Sequence, residues 1–300
     1  MRSFMLSLLL PTRSCAHHLL APQRLPRRRA PLCVAVAPPP EKREFLVNND
    51  RNDVQVLQCA NTQMVDQGLM ELGELPHICV AGESNAGKSS LINHLLRKKN
   101  LARASSVAGK TRSIDMMCVN GKLVLTDLPG LPSRDHQVAH LWENIWEPLV
   151  FDYIGQCDRL LAMIYVHDVR WKVSNTVRTF VREVRNAGVP VLLVLSKDDR
   201  IVNELKPGQV RAGGDPSRYP CNAVTKDAEH KQRMHFTKRA RNAMDFDGVH
   251  VHYSTDSSLA QSRNARRAVL RHIEGIVAAG SKEEAWELLE GIAAKKQNAA

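Results

Sequence analysis

Residues 77–93 read HICVAGESNAGKSSLIN, an apolar run followed by a glycine-rich turn and then by apolar residues at helical spacing. The turn matches the pattern G-x-x-x-x-G-K-[ST] in full. Gly82 and Gly87 allow the backbone N–H groups to point at phosphate oxygens, and the following helix adds its positive end. We expect Lys88 to bridge the β- and γ-phosphates of a nucleotide and Ser89 to bind Mg²⁺. The residues expected to line the loop are Gly82, Glu83, Ser84, Asn85, Ala86, Gly87, Lys88, Ser89 and Ser90.

Apolar runs recur along the chain at intervals that suit alternating strands and helices. They span residues 77–81, 122–127, 160–168, 189–197 and 249–254. Most are continuous, which is typical of strands buried on both faces of a parallel sheet. Amphipathic segments lie between them, one with Ser174 as its expected N-cap and Gly188 as its expected end. The sequence therefore predicts an α/β fold, a doubly wound and mostly parallel sheet flanked by helices, with its ligand crevice at the carboxyl ends of the strands.

A second motif ends the run at residues 122–127. The tetrapeptide Asp127-Leu128-Pro129-Gly130 matches D-x-x-G, in which the carboxylate holds the Mg²⁺ shell through water and the glycine N–H senses the γ-phosphate. Alone, the motif is weak, because a simple strand-end turn also favours Pro-Gly. Its position after a buried strand strengthens the prediction that all four residues contact the nucleotide.

A third motif indicates which base is bound. Ser196-Lys197-Asp198-Asp199 matches [NT]-K-x-D except for its first residue, where serine keeps the hydroxyl of the threonine variant. Asp199 is expected to accept hydrogen bonds from the guanine N1–H and amine, and Lys197 to lie across the base and ribose. A charged loop after a strand is the alternative. Tyr253-Ser254-Thr255 occupies the place of a last base-contacting loop and is the weakest of these predictions.

The amino terminus has the composition of a targeting leader. The first forty residues contain six arginines and no acid, whereas the rest of the chain has 36 basic against 31 acidic residues, a formal charge of +5. This pattern predicts an organelle transit peptide over residues 1–40; a secretory signal and a disordered basic tail are the alternatives. The seven scattered cysteines include no C-x-x-C pair and predict neither a disulfide framework nor a zinc site. No run is long enough for a membrane-spanning helix.

Taken in order, these motifs resemble the EngB/YihA branch of the TrmE-Era-EngA-septin-like GTPases, a Ras-like P-loop family, over residues 55–277. The resemblance extends beyond the generic motifs. It is carried by Leu75-Pro76, residues 84–93, residues 98–103, Gly109-Lys110-Thr111, Asp127 to Gly130 and Asp168 to Arg170. It implies an N-terminal extension at 41–74, a G domain at 75–279 and a C-terminal helix and tail at 280–300.

The resemblance also implies roles for individual residues. Gly109 and Lys110 precede Thr111, the expected switch threonine, which would close on Mg²⁺ and the γ-phosphate only in the triphosphate state. The expected catalytic residues are Lys88, Thr111, Asp127 and Gly130, and the expected metal ligands are Ser89, Thr111 and Asp127. Asn85 matches the asparagine that helps hold K⁺ in relatives. Leu131 stands where the family lacks a water-orienting glutamine, so hydrolysis should be slow without K⁺ or a partner.

Two segments depart from the family pattern. Residues 131–133 replace an aromatic-glycine continuation after D-x-x-G, and residues 203–222 look like an insertion with several glycines and prolines. The first departure bears on the second switch. The second is expected to add a surface loop.

The function implied is a GTP-hydrolysing switch that assists assembly of an organelle ribosome, with ribosomal RNA and proteins as partners. We expect a monomer in the mitochondrial matrix, with the plastid stroma as the alternative. The basic segment with Lys226, Lys231, Arg233, Lys238, Arg239 and Arg241 would offer an RNA-facing helix, or an ordinary solvated face. Two other hypotheses stay open: a slow GTP-binding structural component docked on a scaffold, and an adenine-nucleotide enzyme.

Overall fold

The computed structural model describes Leu46 and residues 52–102, 113–132, 136–201, 226–255 and 260–297. Three sequence predictions lie outside these residues. They are the leader at 1–40, the insertion at 203–222 and the switch residues Gly109, Lys110 and Thr111. Contacts group Glu44–Ala300 into one compact unit.

The described strands form one sheet. They are β1 (Val54–Cys59), β2 (His77–Gly82), β3 (Ile114–Val119), β4 (Leu123–Asp127), β5 (Leu160–Asp168), β6 (Val191–Ser196) and β7 (His250–Tyr253). Their order across the sheet is β1-β3-β4-β2-β5-β6-β7. Strands β4, β2, β5, β6 and β7 pair in parallel, whereas β3 and β1 add antiparallel pairs at one edge. The predicted mostly parallel sheet is confirmed.

The helices cover both faces of this sheet. They are α1 (Thr62–Leu72), α2 (Lys88–Leu96), α3 (His136–Leu141), α4 (Glu147–Gln156), α5 (Asn175–Asn186), α6 (Lys226–Met244), α7 (Ala260–Ala279) and α8 (Lys282–Gln297). A π-helical turn at Trp142–Trp146 joins α3 to α4, and a 3₁₀ turn covers Asp198–Arg200. On one face, α4, α5 and α6 contribute to a core around Tyr153 and Phe180. On the other, α2, α7 and α8 pack around Ile92 and Ile273.

Two strands were not predicted from sequence. The segments that form β1 and β3 contain Gln55, Gln58 and Asp115, so neither is a continuous apolar run. Strand β1 lies at the sheet edge and leaves part of its surface exposed, which removes the need for apolar residues at every position. Strand β3 begins shortly after residues 103–112, which lie outside the described part of the chain.

Helix ends follow local chemistry that the sequence predicted. The Ser174 hydroxyl accepts a hydrogen bond from the Val177 N–H at 3.2 Å and caps α5, as expected of serine at this position. Gly188 follows that helix with a φ of 78°. Ser281 likewise caps α8 through the Glu284 N–H at 3.2 Å. None of the helices in the described ranges is both long and apolar enough to cross a bilayer.

Candidate functional site

The predicted motifs meet at the carboxyl edge of the parallel strands. Gly82 ends β2, Asp127 ends β4, Asp168 ends β5 and Ser196 ends β6, and these strands are neighbours in the sheet. Because parallel strands point the same way, the residues that follow them share one side of the sheet. The residues expected to line the ligand crevice therefore follow neighbouring strands on that side of the sheet.

The phosphate loop needs its glycines for two different reasons. Gly82 has a φ of 149°, and a Cβ atom there would lie 2.2 Å from the Val166 carbonyl oxygen on β5. The loop thus approaches the neighbouring strand more closely than any side chain allows. Gly87 has a φ of 106° where α2 begins, and Asn85 also adopts a left-handed conformation with φ 65°. These turns orient the N-terminal N–H groups of α2 toward the crevice.

Lys88 is buried, and its ammonium group bonds to the loop itself. Nζ donates to the carbonyl oxygens of Gly82 at 3.0 Å and Glu83 at 3.2 Å. Burial lowers the pKa of Lys88, while the carboxylates of Asp127 and Glu83 oppose that shift. Lys88 is thus held against the loop that is expected to bind the same phosphates as its ammonium group.

The two described metal-ligand candidates lie side by side. Ser89 Oγ donates to Asp127 Oδ2 at 3.3 Å. Burial raises the pKa of Asp127 to about 6, although the Lys88 ammonium lowers it. The other oxygen, Oδ1, is buried and has no hydrogen-bond partner among the described residues. A hydroxyl beside a carboxylate that has a buried oxygen without a partner fits Mg²⁺, because this ion prefers oxygen ligands and keeps several of its waters.

The D-x-x-G glycine lies directly against the phosphate loop. A Cβ atom on Gly130 would lie 2.7 Å from Ser84 Oγ and 3.0 Å from Lys88 Nζ. The next residue, Leu131, pairs with the loop through its backbone: the Ser84 N–H donates to the Leu131 carbonyl at 2.8 Å, and the Leu131 N–H donates to the Gly82 carbonyl at 3.1 Å. The Leu131 side chain is fully buried. Leu128, also buried, and Pro129 connect this contact to Asp127.

The segment after β6 is tied to the same loop. Ser196 Oγ lies 2.5 Å from the Ala86 carbonyl oxygen and 3.1 Å from that of His167. Lys197 Nζ donates to the Asn85 carbonyl at 2.6 Å. The serine that departs from the usual motif thus contacts the phosphate loop through its hydroxyl.

The two aspartates of this segment have different surroundings. Asp198 is buried; its carboxylate lies 2.8 Å from Arg233 on α6 and 2.8 Å from His252 Nδ1 on β7. Asp199 is partly exposed on the 3₁₀ turn. The structure thus pairs Asp198 with other elements of the protein and leaves the Asp199 side chain partly exposed.

The last predicted loop begins at the end of β7. The Tyr253 side chain is buried on the face of the sheet that α2 covers, where its hydroxyl lies 2.8 Å from His94 Nδ1. Ser254 is also buried, and its carbonyl accepts a hydrogen bond from Ser262 at 2.8 Å. Thr255 is exposed. Of this tripeptide, Thr255 has the side chain best placed to meet a ligand.

Sequence analysis did not identify a cluster around Asp168 as part of the site. Asp168 Oδ2 lies 3.0 Å from Lys197 Nζ and 2.8 Å from Arg170 Nη2. Burial alone would raise the pKa of Asp168, but these two cations lower it below its usual value. Lys197 Nζ also lies 5.2 Å above the Trp171 ring. The available signal was the position of Asp168 at the end of β5, beside the strands that carry the other motifs.

Comparison with known proteins bears directly on this arrangement. The model of a family described as 50S ribosome-binding GTPase matches residues 77–197. A probable GTP-binding protein EngB of Geobacter metallireducens is 32% identical over 213 residues, 70% of this chain and 87% of its own length.

The chain belongs to the EngB family.

A further relative gives a shorter match. The probable GTP-binding protein EngB of Gemmatimonas aurantiaca is 38% identical over 138 residues, which cover 46% of this chain and 65% of that protein, just under two thirds of its length. A crystal structure of a probable GTP-binding protein engB is 17% identical, covers 67% of this chain and 98% of the other, and has a TM-score of 0.41. The family assignment rests on the sequence relatives and not on this structural likeness.

Membership of the EngB family does not by itself establish the role of α6. Three of its arginines contact the protein itself. Arg233 pairs with Asp198, Arg239 donates to the carbonyls of Val169, Arg170 and Trp171, and Arg241 donates to those of Phe246 and Asp247. The expected RNA-facing helix therefore uses half of its six cations internally.

Proposed function

We propose that this EngB-type chain binds GTP with Mg²⁺, hydrolyses it to GDP, and acts as a switch in the assembly of an organelle ribosome. The observation that carries the proposal is the contact between the two motif segments. Ser196 and Lys197, which flank the expected guanine pocket, bond to carbonyls of the phosphate loop. A single nucleotide can therefore reach both segments, its phosphates at the loop and its base near Asp199.

The site residues divide the work of phosphoryl transfer. Lys88 and the N–H groups at the start of α2 hold the phosphates, and Ser89 with Asp127 holds the metal. When bound, Mg²⁺ neutralises charge that develops on the phosphoryl oxygens. Gly130 would sense the γ-phosphate through its N–H, since it lies so close to the phosphate loop that a Cβ atom on it would be 2.7 Å from Ser84 Oγ and 3.0 Å from Lys88 Nζ. Thr111, the expected switch residue, is outside the described part of the chain.

Slow hydrolysis is part of the proposal. Leu131 follows Gly130, and its buried aliphatic side chain has no group that can orient an attacking water. We expect K⁺ near Asn85 or a protein or RNA partner to supply the missing charge or orientation. Hydrolysis in KCl should exceed hydrolysis in NaCl of the same ionic strength, and equal rates would remove K⁺ from the proposal.

The proposed ribosomal partner is inferred from the family to which the chain belongs. The family model is described as a 50S ribosome-binding GTPase, which supports a large-subunit precursor as the partner. The acid-free, arginine-containing leader supports an organelle, and its low Ser/Thr content favours the mitochondrial matrix over the plastid stroma. We propose that the chain acts there as a monomer.

A second candidate is a structural component that binds GTP, docks on a ribosome or another scaffold, and hardly turns over. The observation that favours it is the same Leu131, buried and paired with the phosphate loop through its backbone. Single-turnover hydrolysis, with and without K⁺ and ribosomal particles, separates the two. Turnover that rises with either addition supports the switch, and its persistent absence supports the structural component.

Sedimentation tests the biological role. Tagged protein is loaded with GTP, GDP or a non-hydrolysable GTP analogue and run with organelle extract on a gradient. Co-migration with a precursor large-subunit particle that requires the analogue is the expected result. Competition of ATP against labelled GTP addresses the base: displacement by ATP at equal concentration would contradict guanine specificity.

A further inference from the structure

A second basic surface lies away from α6. It consists of Arg97, Lys98 and Lys99 at the end of α2 and Arg263, Arg267 and Arg271 on α7, and we call it the α2/α7 face. All six side chains are exposed. Apart from Arg97, they make no hydrogen bond or ion pair with any residue that the structure describes. These five cations are thus available to a partner.

The two parts of this face are joined by a buried arginine. Arg266 donates from Nε to the His94 carbonyl at 2.9 Å and from Nη2 to the Leu95 carbonyl at 2.6 Å, at the carboxyl end of α2. Burial lowers the pKa of Arg266, and the charges of Arg97 and Arg267 add to that shift. Because Arg97 directly follows α2 and Arg267 directly follows Arg266, the bonds of Arg266 to the last turn of α2 bring the cations of the two helices together.

The spacing of the α7 arginines is regular. Residues 263, 267 and 271 are four apart, so they lie on one side of the helix about 6 Å apart along its axis. One acid occurs in α7, Glu274, and its carboxylate accepts a hydrogen bond from the Leu46 N–H at 2.6 Å. A straight row of guanidinium groups matches a partner whose negative charges repeat along a line.

The surface lacks what a protein interface needs. Among the described residues, the large hydrophobic side chains that are exposed are Val56, Met64, Met70, Ile145, Met234 and Leu288. None is on α2 or α7, and Leu288 of α8 alone among them approaches the α7 row, at Gly275 beyond Arg271. Protein interfaces are built around apolar anchors and are depleted of charge at their centre, and amphipathic membrane surfaces also require apolar side chains. Phosphates need only cations, and arginine binds them with paired hydrogen bonds.

We propose that the α2/α7 face binds the phosphate backbone of RNA. The inference deepens the proposed function, because it rests on a ribosomal partner and names the surface that meets its RNA. It replaces α6, whose arginines are partly engaged, as the main electrostatic contact. Helix α2 begins with Lys88 in the phosphate loop and ends at this face about 13 Å away, so one helix connects RNA and nucleotide.

The test compares two triple variants of the full chain. One carries R263Q, R267Q and R271Q; the other, matched in lost charge, carries R182Q on α5 with K231Q and K238Q on α6, all exposed. The probe is a labelled duplex RNA of about 16 base pairs, a length that one RNA-binding module spans. Affinity is measured from about 50 to 200 mM KCl, because phosphate contacts release counterions and weaken with salt.

We expect the α7 variant to bind RNA at least about tenfold more weakly than the unaltered chain does. The slope of log affinity against log salt should also become shallower by about two to three, since three phosphate contacts are lost. The α5/α6 variant should retain the affinity and the slope. Replacing the three α7 arginines by lysine keeps the charge and should keep most of the binding. Equal loss in both glutamine variants, or no loss in the α7 variant, would overturn the inference.

Two readouts separate this surface from the GTPase. GTP affinity and thermal unfolding are measured on the same proteins, and all variants should match the unaltered chain in both. An α7 variant that keeps GTP affinity and also keeps RNA affinity refutes the surface while leaving the proposed function intact. If polyglutamate displaces the unaltered chain's RNA no better than a neutral polymer does, the face is selective for phosphate; displacement by polyglutamate as effective as that by unlabelled RNA contradicts it.

Discussion

The ammonium group of Lys197 lies 2.6 Å from the carbonyl oxygen of Asn85, although 112 positions separate the two residues in the chain. Asp168 holds the same ammonium from the other side at 3.0 Å. Lys197 thus joins the turn after β6 to the phosphate loop after β2. The sheet and this bond thus fix the distance between the two motif segments.

Asp199 is expected to decide which base is bound. Asp199→Asn removes the carboxylate that accepts the guanine N1–H and amine, at about 1.5–3 kcal/mol for each charge-assisted hydrogen bond. Two such bonds amount to at least about 3 kcal/mol, so GTP should bind at least roughly 100-fold more weakly, and xanthosine triphosphate should become a ligand. Fluorescent-nucleotide titration measures both affinities.

Asp198→Asn provides the matched control. Because Asp198 pairs with Arg233 and His252 inside the protein, its replacement should lower the free energy of unfolding by about 1–3 kcal/mol without admitting xanthosine triphosphate. If Asp198→Asn changed base selectivity and Asp199→Asn did not, the assignment of the two aspartates would be reversed.

Ser196 is expected to act through the phosphate loop. Ser196→Ala leaves the Ala86 carbonyl without this hydroxyl, and the lost hydrogen bond should weaken GTP binding by about 1–2 kcal/mol, roughly tenfold. Ser196→Thr keeps the hydroxyl and should stay within about threefold of the unaltered chain. Calorimetric titration with GDP and Mg²⁺ measures the three proteins. A threonine variant as weak as the alanine variant would show that the hydroxyl is not what matters.

Gly130 should tolerate no side chain. Gly130→Ala places a Cβ atom within 3.0 Å of Ser84 and Lys88, so the D-x-x-G turn must move away from the phosphates. Single-turnover hydrolysis should fall by at least about tenfold, which corresponds to about 1.4 kcal/mol.

Gly155→Ala is the control for adding a methyl group. Gly155 lies in α4, and a Cβ atom added there would have no neighbour within 4 Å among the described residues. At this position, alanine should raise the free energy of unfolding by about 0.5–1 kcal/mol through helix propensity. Its hydrolysis should be unchanged. Normal hydrolysis by Gly130→Ala would instead show that the turn has room.

His77 should make stability depend on pH. This side chain is fully buried, within 3.2 Å of the Tyr153 hydroxyl and 3.1 Å of the Leu72 carbonyl, and burial lowers the pKa of His77 from 6.5 to about 4. As the pH falls below 6.5, the unfolded chain gains a proton there that the folded chain does not. The free energy of unfolding should therefore drop by about 2 kcal/mol from about pH 7 to about pH 5 through this residue.

Urea titration of the unaltered chain and of His77→Gln at both pH values measures that drop. The glutamine variant has no proton to gain, so its stability should fall less over the interval by the same amount. Parallel losses in the two proteins would mean that His77 does not titrate in this range.

Much of the architecture could be predicted because its signals are local. Continuous apolar runs indicated β2 and β4 to β7, and Ser174 indicated a helix start, since capping and burial depend on residues close in the chain. Strands β1 and β3 were not predicted, because polar residues such as Gln58 and Asp115 interrupt their apolar pattern. Strand β1 lies at the sheet edge and is partly exposed, whereas β3 is buried between β1 and β4 despite its one acid, Asp115.

In the site, too, some features could be predicted from the sequence, whereas others required the folded structure. The phosphate loop, the D-x-x-G turn and the Ser196 segment could be identified from the chain alone, because each motif is a short stretch whose spacing is dictated by a phosphate, a metal or a base. The folded arrangement was needed to show that Asp198 forms ion pairs within the protein while Asp199 stays partly exposed, and that Asp168 pairs with Lys197. It was also needed to show that the arginines of α6 contact the protein itself, while Arg263, Arg267 and Arg271 of α7 are exposed. Adjacent residues of one chemical type look alike in sequence, and what distinguishes them is which distant strand or helix the fold brings against each.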